Sequence, residues 1–260
     1  MKVILLDKNR ALVSAWKKTL DGFKHVSFHI GTLEDLPQKV LGTNAAVVSP
    51  GNSFGFLGGG FDLAIQSFFG GKQFEKFFRK RIGEFYKPVG ETTIVDLDHW
   101  ARNGIRYIVH IPTVVAPTRK VFDTEHPVET GYQLVFNAMW SALVRAPKNV
   151  ETLIVPGLGT GYLGIPKAVC SKAMAFALNL FFANETMSVE LRNVLIMHFL
   201  GFRYEGFFPA DYKEECAKLG IELDKLKHFN VCKHPIAHLL PNEHLAAQEG
   251  DTSEPIHKPV

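Results

Sequence analysis

SPGNSFGFLGGGFDLAI, residues 49–65, decides how the chain is read. It leaves an apolar run, Ala45 to Val48, and enters a stretch with helical character, crossing Gly51, Gly55, Gly58, Gly59 and Gly60 on the way. Glycine loses more conformational freedom on folding than any other residue, so a crossing this rich in it needs a reason. Asn52 and Asp62 are the polar side chains that flank it.

A second stretch, PGLGTGYLGIP at residues 156–166, repeats the plan: an apolar strand, a glycine-rich turn, then a helix opened by Pro166. Without a Cβ the backbone can meet a ligand closely, and the free N–H groups of a helix start favour an anion. Two such loops at the carboxyl ends of strands would meet over one edge of the sheet, where open α/β folds bind ligands. A phosphorylated, nucleotide-like ligand is the expectation.

Working outward, Val/Ile-rich runs at Lys2–Leu6, Val26–Ile30, Ala45–Ser49, Thr92–Asp96, Ile105–Ile111, Thr152–Val155 and Val194–Phe199 read as strands. Several are apolar throughout, as strands covered on both faces are. Between them lie helical stripes: Leu12, Ala15, Trp16 and Leu20 after the N-cap candidate Asn9; Phe136, Met139, Trp140 and Leu143; and Val169, Ala173, Phe176, Ala177, Leu180 and Phe181 after Pro166. The alternation predicts a three-layer α/β/α sandwich on a mixed, mostly parallel sheet. Phe208 to Phe229 reads as two further helices, so a helical extension is expected over about residues 208–240. Residues 1–240 are read as one domain, and the polar run PNEHLAAQEGDTSEPIHKPV, 241–260, as a disordered tail.

Composition narrows the function classes. A hydrophobic content of 46% with 21% charged residues is that of a globular chain. A formal charge of +3 is too small to argue for nucleic acid or a membrane surface. The cysteines Cys170, Cys216 and Cys232 are scattered and odd in number, which suits free thiols in a reducing compartment, cytoplasmic and/or nuclear. MKVILLDKNR ends its apolar run at Asp7, so it reads as a first strand and not as a signal peptide. No run reaches the roughly 20 apolar residues of a membrane helix.

Three other features have plainer readings. Gly159-x-Gly161-x-x-Gly164 matches a dinucleotide fingerprint, but the strand expected next carries no acidic residue at its end and only one strand follows. CKHPIAH holds Cys232, His234 and His238 without a second cysteine pair, so no metal is expected. KFFRKRIGEFYK, residues 76–87, reads as a solvated helix face with Phe77, Phe78 and Phe85 turned inward.

Asp62 falls in the first turn of a helix, where a carboxylate can simply stabilise the N-terminus. Beside an anion cradle it would be repelled unless it held a water or a ribose hydroxyl. Asn52 can be a turn residue or a donor to a ligand. His110 closes the run IRYIVHIPT and would face the region where the loops converge, with an ordinary pKa suited to an acid or a base.

VVSPGNSFGFLGGGFDLAI and PGLGTGYLGIP, in that order with YIVHIPT between them, resemble the two signatures of the macro domain family, which binds ADP-ribose on an α/β/α sandwich. The resemblance covers about residues 31–199 and looks most like fungal ADP-ribose-1″-phosphate phosphatases, which process a by-product of tRNA splicing. It implies the distal ribose near Asn52, Gly58, Gly59 and Gly60, and the diphosphate against Gly159, Thr160, Gly161, Tyr162, Leu163 and Gly164. It also implies a catalytic set of Asn52, Asp62 and His110. The adenine-recognising Gly-Asp-Ile reads Gly31-Thr32-Leu33 here, so the carboxylate is missing, and Phe199 or Phe202 is left to stack on the base. The expected activity is hydrolysis of the terminal phosphate without metal or cofactor, by a monomer whose partner is ADP-ribose or its 1″-phosphate. A non-catalytic ADP-ribose reader and a hydrolase of ADP-ribosylated or acylated substrates are the alternatives.

Overall fold

The computed structural model describes residues 1–83 and 85–241. The strands are β1 (Lys2–Asp7), β2 (Val26–Ile30), β3 (Ala45–Ser49), β4 (Thr93–Asp96), β5 (Ile105–His110) and β6 (Thr152–Val155). The helices are α1 (Arg10–Thr19), α2 (Gln38–Leu41), α3 (Gly60–Phe69), α4 (Gly71–Ile82), α5 (Gln133–Arg145), α6 (Lys167–Phe182), α7 (Val189–Phe199), α8 (Tyr212–Lys218) and α9 (Leu223–Lys227). The sheet order is β2-β1-β6-β3-β5-β4, with every pair parallel except β4–β5. The mixed, mostly parallel sheet is therefore as expected.

Side-chain alternation sorts the layers. Val3 and Leu5 of β1 join a core built with α1, α5, α6 and α7, while Ile4 and Leu6 join a second core with Phe68, Phe69, Phe74 and Phe78 of α3 and α4. Period-2 strands covered on both faces produce this division. Asn9 caps α1 by accepting from the amides of Ala11 and Leu12 at 3.1 and 3.4 Å. Cys216, Leu219, Leu226 and Phe229 of the extension are buried in the same core as α6, so α8 and α9 close that face.

The register of β3 against β5 matters for the site. Ala45 pairs with Ile105, but Ala46 pairs with Tyr107, so Arg106 is an extra residue on β5. Beyond this bulge Val47 faces Ile108 and Ser49 faces His110. Ile105 and Ile108 consequently enter the same core although they are three apart in sequence, which strict alternation would forbid.

Two expectations are corrected. Val194–Phe199 is not a strand; it is the second half of α7. Ser188 caps that helix, its Oγ accepting from the Leu191 amide at 3.1 Å, and Leu191, Val194, Leu195 and Phe199 fall at helical spacing on its buried side. A short apolar run does not by itself distinguish a buried strand from a buried helix, and here the cap decides. Phe85 does not turn inward: α4 ends at Ile82 before Gly83, and Phe85 is 87% exposed. The expected tail beyond Pro241 lies outside the described residues. Among the described residues no helix is long and apolar enough to cross a membrane.

Candidate functional site

Because β3 and β6 are neighbours, the loops that follow them come off the same edge of the sheet. They enclose a cavity of about 450 Å³, lined by Gly58, Gly59, Gly60, Phe61 and Asp62 from the first and by Gly157, Gly159, Gly161, Tyr162 and Leu163 from the second. Pro50, Gly51, Asn52, Phe54 and Phe56 form another wall, with Thr113, Val114, Ala116 and Pro117 beyond β5. Among the described residues the backbone N–H groups of Gly58 to Asp62 and of Thr160 to Leu163 donate to no backbone carbonyl, which leaves two sets of donors for an anion. Gly60 (φ 57°) and Gly159 (φ 72°) sit where a side chain would be strained. A Cβ on Gly59 would lie 3.2 Å from the Tyr162 ring, so the two loops nearly touch.

Neighbouring side chains build the first loop. Asn52 Oδ1 accepts from the amides of Phe54 and Phe56 at 3.1 and 3.3 Å, and its Nδ2 donates to the Phe56 carbonyl at 2.7 Å. Its amide is thus committed to shaping the turn, although the residue also lines the cavity. Buried Glu75 accepts from the Leu57 amide and from Gln66 Nε2, both at 2.9 Å, and Gln66 also donates to the Leu57 carbonyl. This clamp fixes the chain just before the triple glycine. Glu75→Ala leaves the Leu57 amide without its acceptor and Gln66 Nε2 with the Leu57 carbonyl alone, and is expected to cost about 1–3 kcal/mol of stability. Urea unfolding should show this as a lower midpoint at an unchanged slope.

At the floor lies a chain of polar groups. Ser49 Oγ donates to Asp62 Oδ1 at 2.9 Å and lies 3.1 Å from His110 Nδ1. Gly51 is wedged against both ends: a Cβ there would be 2.7 Å from His110 Cε1 and 2.9 Å from Asp62 Oδ2. Burial raises the Asp62 pKa to about 7, with the Ser49 hydrogen bond opposing it. Burial likewise lowers that of His110 to about 4, opposed by the Asn52 backbone and assisted by the charge of Lys87. Around neutrality the carboxyl group is near its midpoint and the imidazole is neutral.

Several residues expected to bind ligand lie elsewhere. Phe199 is fully buried with its ring stacked 4.3 Å from that of Phe176, so it is a core residue and cannot reach a base. Leu33 is fully buried in the α3/α4 core. Thr32 donates through its amide and Oγ1 to the Asp35 carboxylate at 2.7 and 2.9 Å, so an acidic group does lie beside position 32, supplied by residue 35. None of Thr32, Leu33, Thr160, Gly164, His110 and Phe199 lines the cavity. Phe202 is 57% exposed. Sequence reasoning missed Ser49, Glu75 and Gln66 and read Gly51 only as a loop glycine; the signal for Ser49 was a hydroxyl closing an otherwise apolar strand. In CKHPIAH, His234 Nδ1 accepts from the Asn230 amide, and no group of three His, Cys, Asp or Glu among the described residues could hold a metal.

A six-stranded mixed sheet between helical layers, with glycine loops from adjacent strands enclosing one cavity, defines a macrodomain-like α/β protein. Residues 1–248 match the family described as Macro-like domain, and the chain belongs to that family. ADP-ribose binding or processing is the class of function this membership supports. An uncharacterized protein of Aquifex aeolicus (strain VF5) is 29% identical over 136 residues, covering 52% of this chain and 73% of that protein. The Oceanobacillus iheyensis macrodomain with MES bound is similar at 22% identity and a TM-score of 0.42, covering 53% of this chain and 69% of that one.

Proposed function

We propose that the protein is a phosphatase that hydrolyses the terminal phosphate of ADP-ribose-1″-phosphate, using protein groups alone. The observation that carries this reading is Asp62: a carboxyl group on the cavity floor, beside two sets of amide donors, with its pKa raised to about 7. A carboxylate beside phosphates is repelled unless it holds a ribose hydroxyl or a water, and a pKa near neutrality favours the second. A proton acceptor for water would need such a group. In this reading the loop amides hold the phosphoryl oxygens and stabilise charge as the P–O bond breaks. Asp62 takes a proton from the attacking water as its oxygen bonds to phosphorus. The same proton then passes to the departing sugar oxygen, giving ADP-ribose and inorganic phosphate.

One observation favours a second reading. Among the described residues no lysine or arginine lines the cavity, which suits a less charged scissile group, such as the ester of an acylated or protein-linked ADP-ribose. Phosphate release from ADP-ribose-1″-phosphate, measured with and without a chelator, decides between them. Saturable release that survives the chelator supports the phosphatase. ADP-ribose binding without release sinks it, and cleavage of an acylated ADP-ribose would establish the rival.

A further inference from the structure

Ser49 is the last residue of β3 and is fully buried. A hydroxyl in that position must find its partners inside the protein. It finds two, one on each side: Asp62 Oδ1 and His110 Nδ1. Neither Ser49 nor His110 lines the cavity, so neither meets a ligand directly and Ser49 is not placed to be a nucleophile.

Proton counting then fixes the order of the chain. An ionised carboxylate only accepts, and a serine hydroxyl has a single proton to give. When that proton points to Asp62 Oδ1, the contact at 3.1 Å requires His110 to donate from Nδ1 to Ser49 Oγ. We infer that Ser49 is a positioning residue through which buried His110 acts on Asp62, an Nδ1–H to Oγ–H to Oδ1 chain that favours the ionised carboxylate against burial and leaves its Oδ2 beside Gly51, towards the cavity. This rests on Asp62 being the group that takes the proton from water. It changes the expected part of His110, which stays neutral throughout and donates no proton to the leaving oxygen. The proton that Oδ2 takes from water returns to the departing sugar oxygen without any rearrangement at Ser49 or His110.

The surroundings agree. Phe78 of α4 sets its ring edge-on to His110 at 5.3 Å between centroids, and Lys87, after α4, bears a charge that disfavours imidazolium. Asp62 faces Ser49 of β3, Gly51 and, through Ser49, His110 of β5, so burial and the Ser49 hydrogen bond set its titration.

The test is NMR on the free protein, which needs no substrate: 15N shifts for the His110 tautomer and 13C titration of the Asp62 carboxyl group. Wild type should show His110 protonated at Nδ1 at pH 8. Ser49→Ala should raise the Asp62 midpoint by about one pH unit, because the ionised form loses its donor. Ser49→Cys, a weaker donor of similar size, should move it the same way if the alanine variant does not fold. The acidic limb of the rate profile should follow. An Nε2-protonated His110 at pH 8, or an Asp62 midpoint unmoved in the folded variants, would overturn the inference. A midpoint that moves in a protein releasing no phosphate would support the chain and reject only the phosphatase.

Discussion

Asp62→Asn is expected to release phosphate from ADP-ribose-1″-phosphate at least ~100-fold more slowly than wild type, the usual size of a lost acid–base group. Binding of ADP-ribose should survive. Asparagine keeps the shape of the side chain and an oxygen for Ser49, so the floor stays in place while the proton acceptor is gone. The same variant has a signature in stability. Asp62 has its folded pKa raised to about 7, above the roughly 3.9 of an exposed aspartate. Its contribution is therefore fully present below about pH 4 and is lost as the pH climbs to about 7. His110 has its folded pKa lowered to about 4, below the roughly 6.5 of an exposed histidine. Its contribution is present above about pH 6.5 and is lost as the pH falls to about 4. Over the same window the two slopes oppose each other, and in wild type they largely offset. Denaturant unfolding should thus show the stability difference, Asp62→Asn minus wild type, becoming more positive from pH 4 to pH 7. A difference that stays flat across that window would mean Asp62 titrates as an ordinary exposed carboxylate.

Gly51→Ala should abolish phosphate release as thoroughly, without removing any functional group. The added methyl would lie 2.7 Å from His110 Cε1 and 2.9 Å from Asp62 Oδ2, and neither is the free end of a flexible chain. His110 is fully buried and Asp62 is tied to Ser49, so relief requires the floor to come apart. Overpacking of this kind destabilises by about 1–3 kcal/mol, and most of the strain here falls on Asp62 and His110. Gly206→Ala is the control for glycine replacement. A Cβ at that position meets nothing within 4 Å, its φ is not in the left-handed region, and it lies between α7 and α8, just before the extension. It should leave phosphate release and unfolding unchanged. Normal turnover by Gly51→Ala would show that the floor is more yielding than its contacts indicate.

Much of this was legible in the sequence because it depends on local pattern. The continuous apolar runs marked β1, β3, β5 and β6, and the spacing of Leu12, Ala15, Trp16 and Leu20 marked α1, since burial on two faces and a 3.6-residue period leave plain traces. The glycine loops were legible because no other residue serves such a turn so well. What failed was tertiary. Nothing in NVLIMHF separates a strand from a buried helix except Ser188 upstream. Phe199 would reach a ligand only from a strand end, and the helix turns it into the core against Phe136 and Phe176. The Ser49 chain was hidden because its members are separated by 13 and 61 positions and meet only through strand pairing.

That pairing gives the Arg106 bulge a significance beyond the sheet. Without the extra residue the strands would meet one step out of phase, and His110 would swing to the α1/α6 face. Every functional side chain would still be spelled out in the chain, and they would never meet. The site is in this sense a reading frame, kept by an arginine at the opposite end of the strand that makes no contact with the chemistry. Related chains should be aligned on that offset first, because one residue gained or lost between positions 45 and 49 or between 105 and 110 changes which side chain occupies the floor.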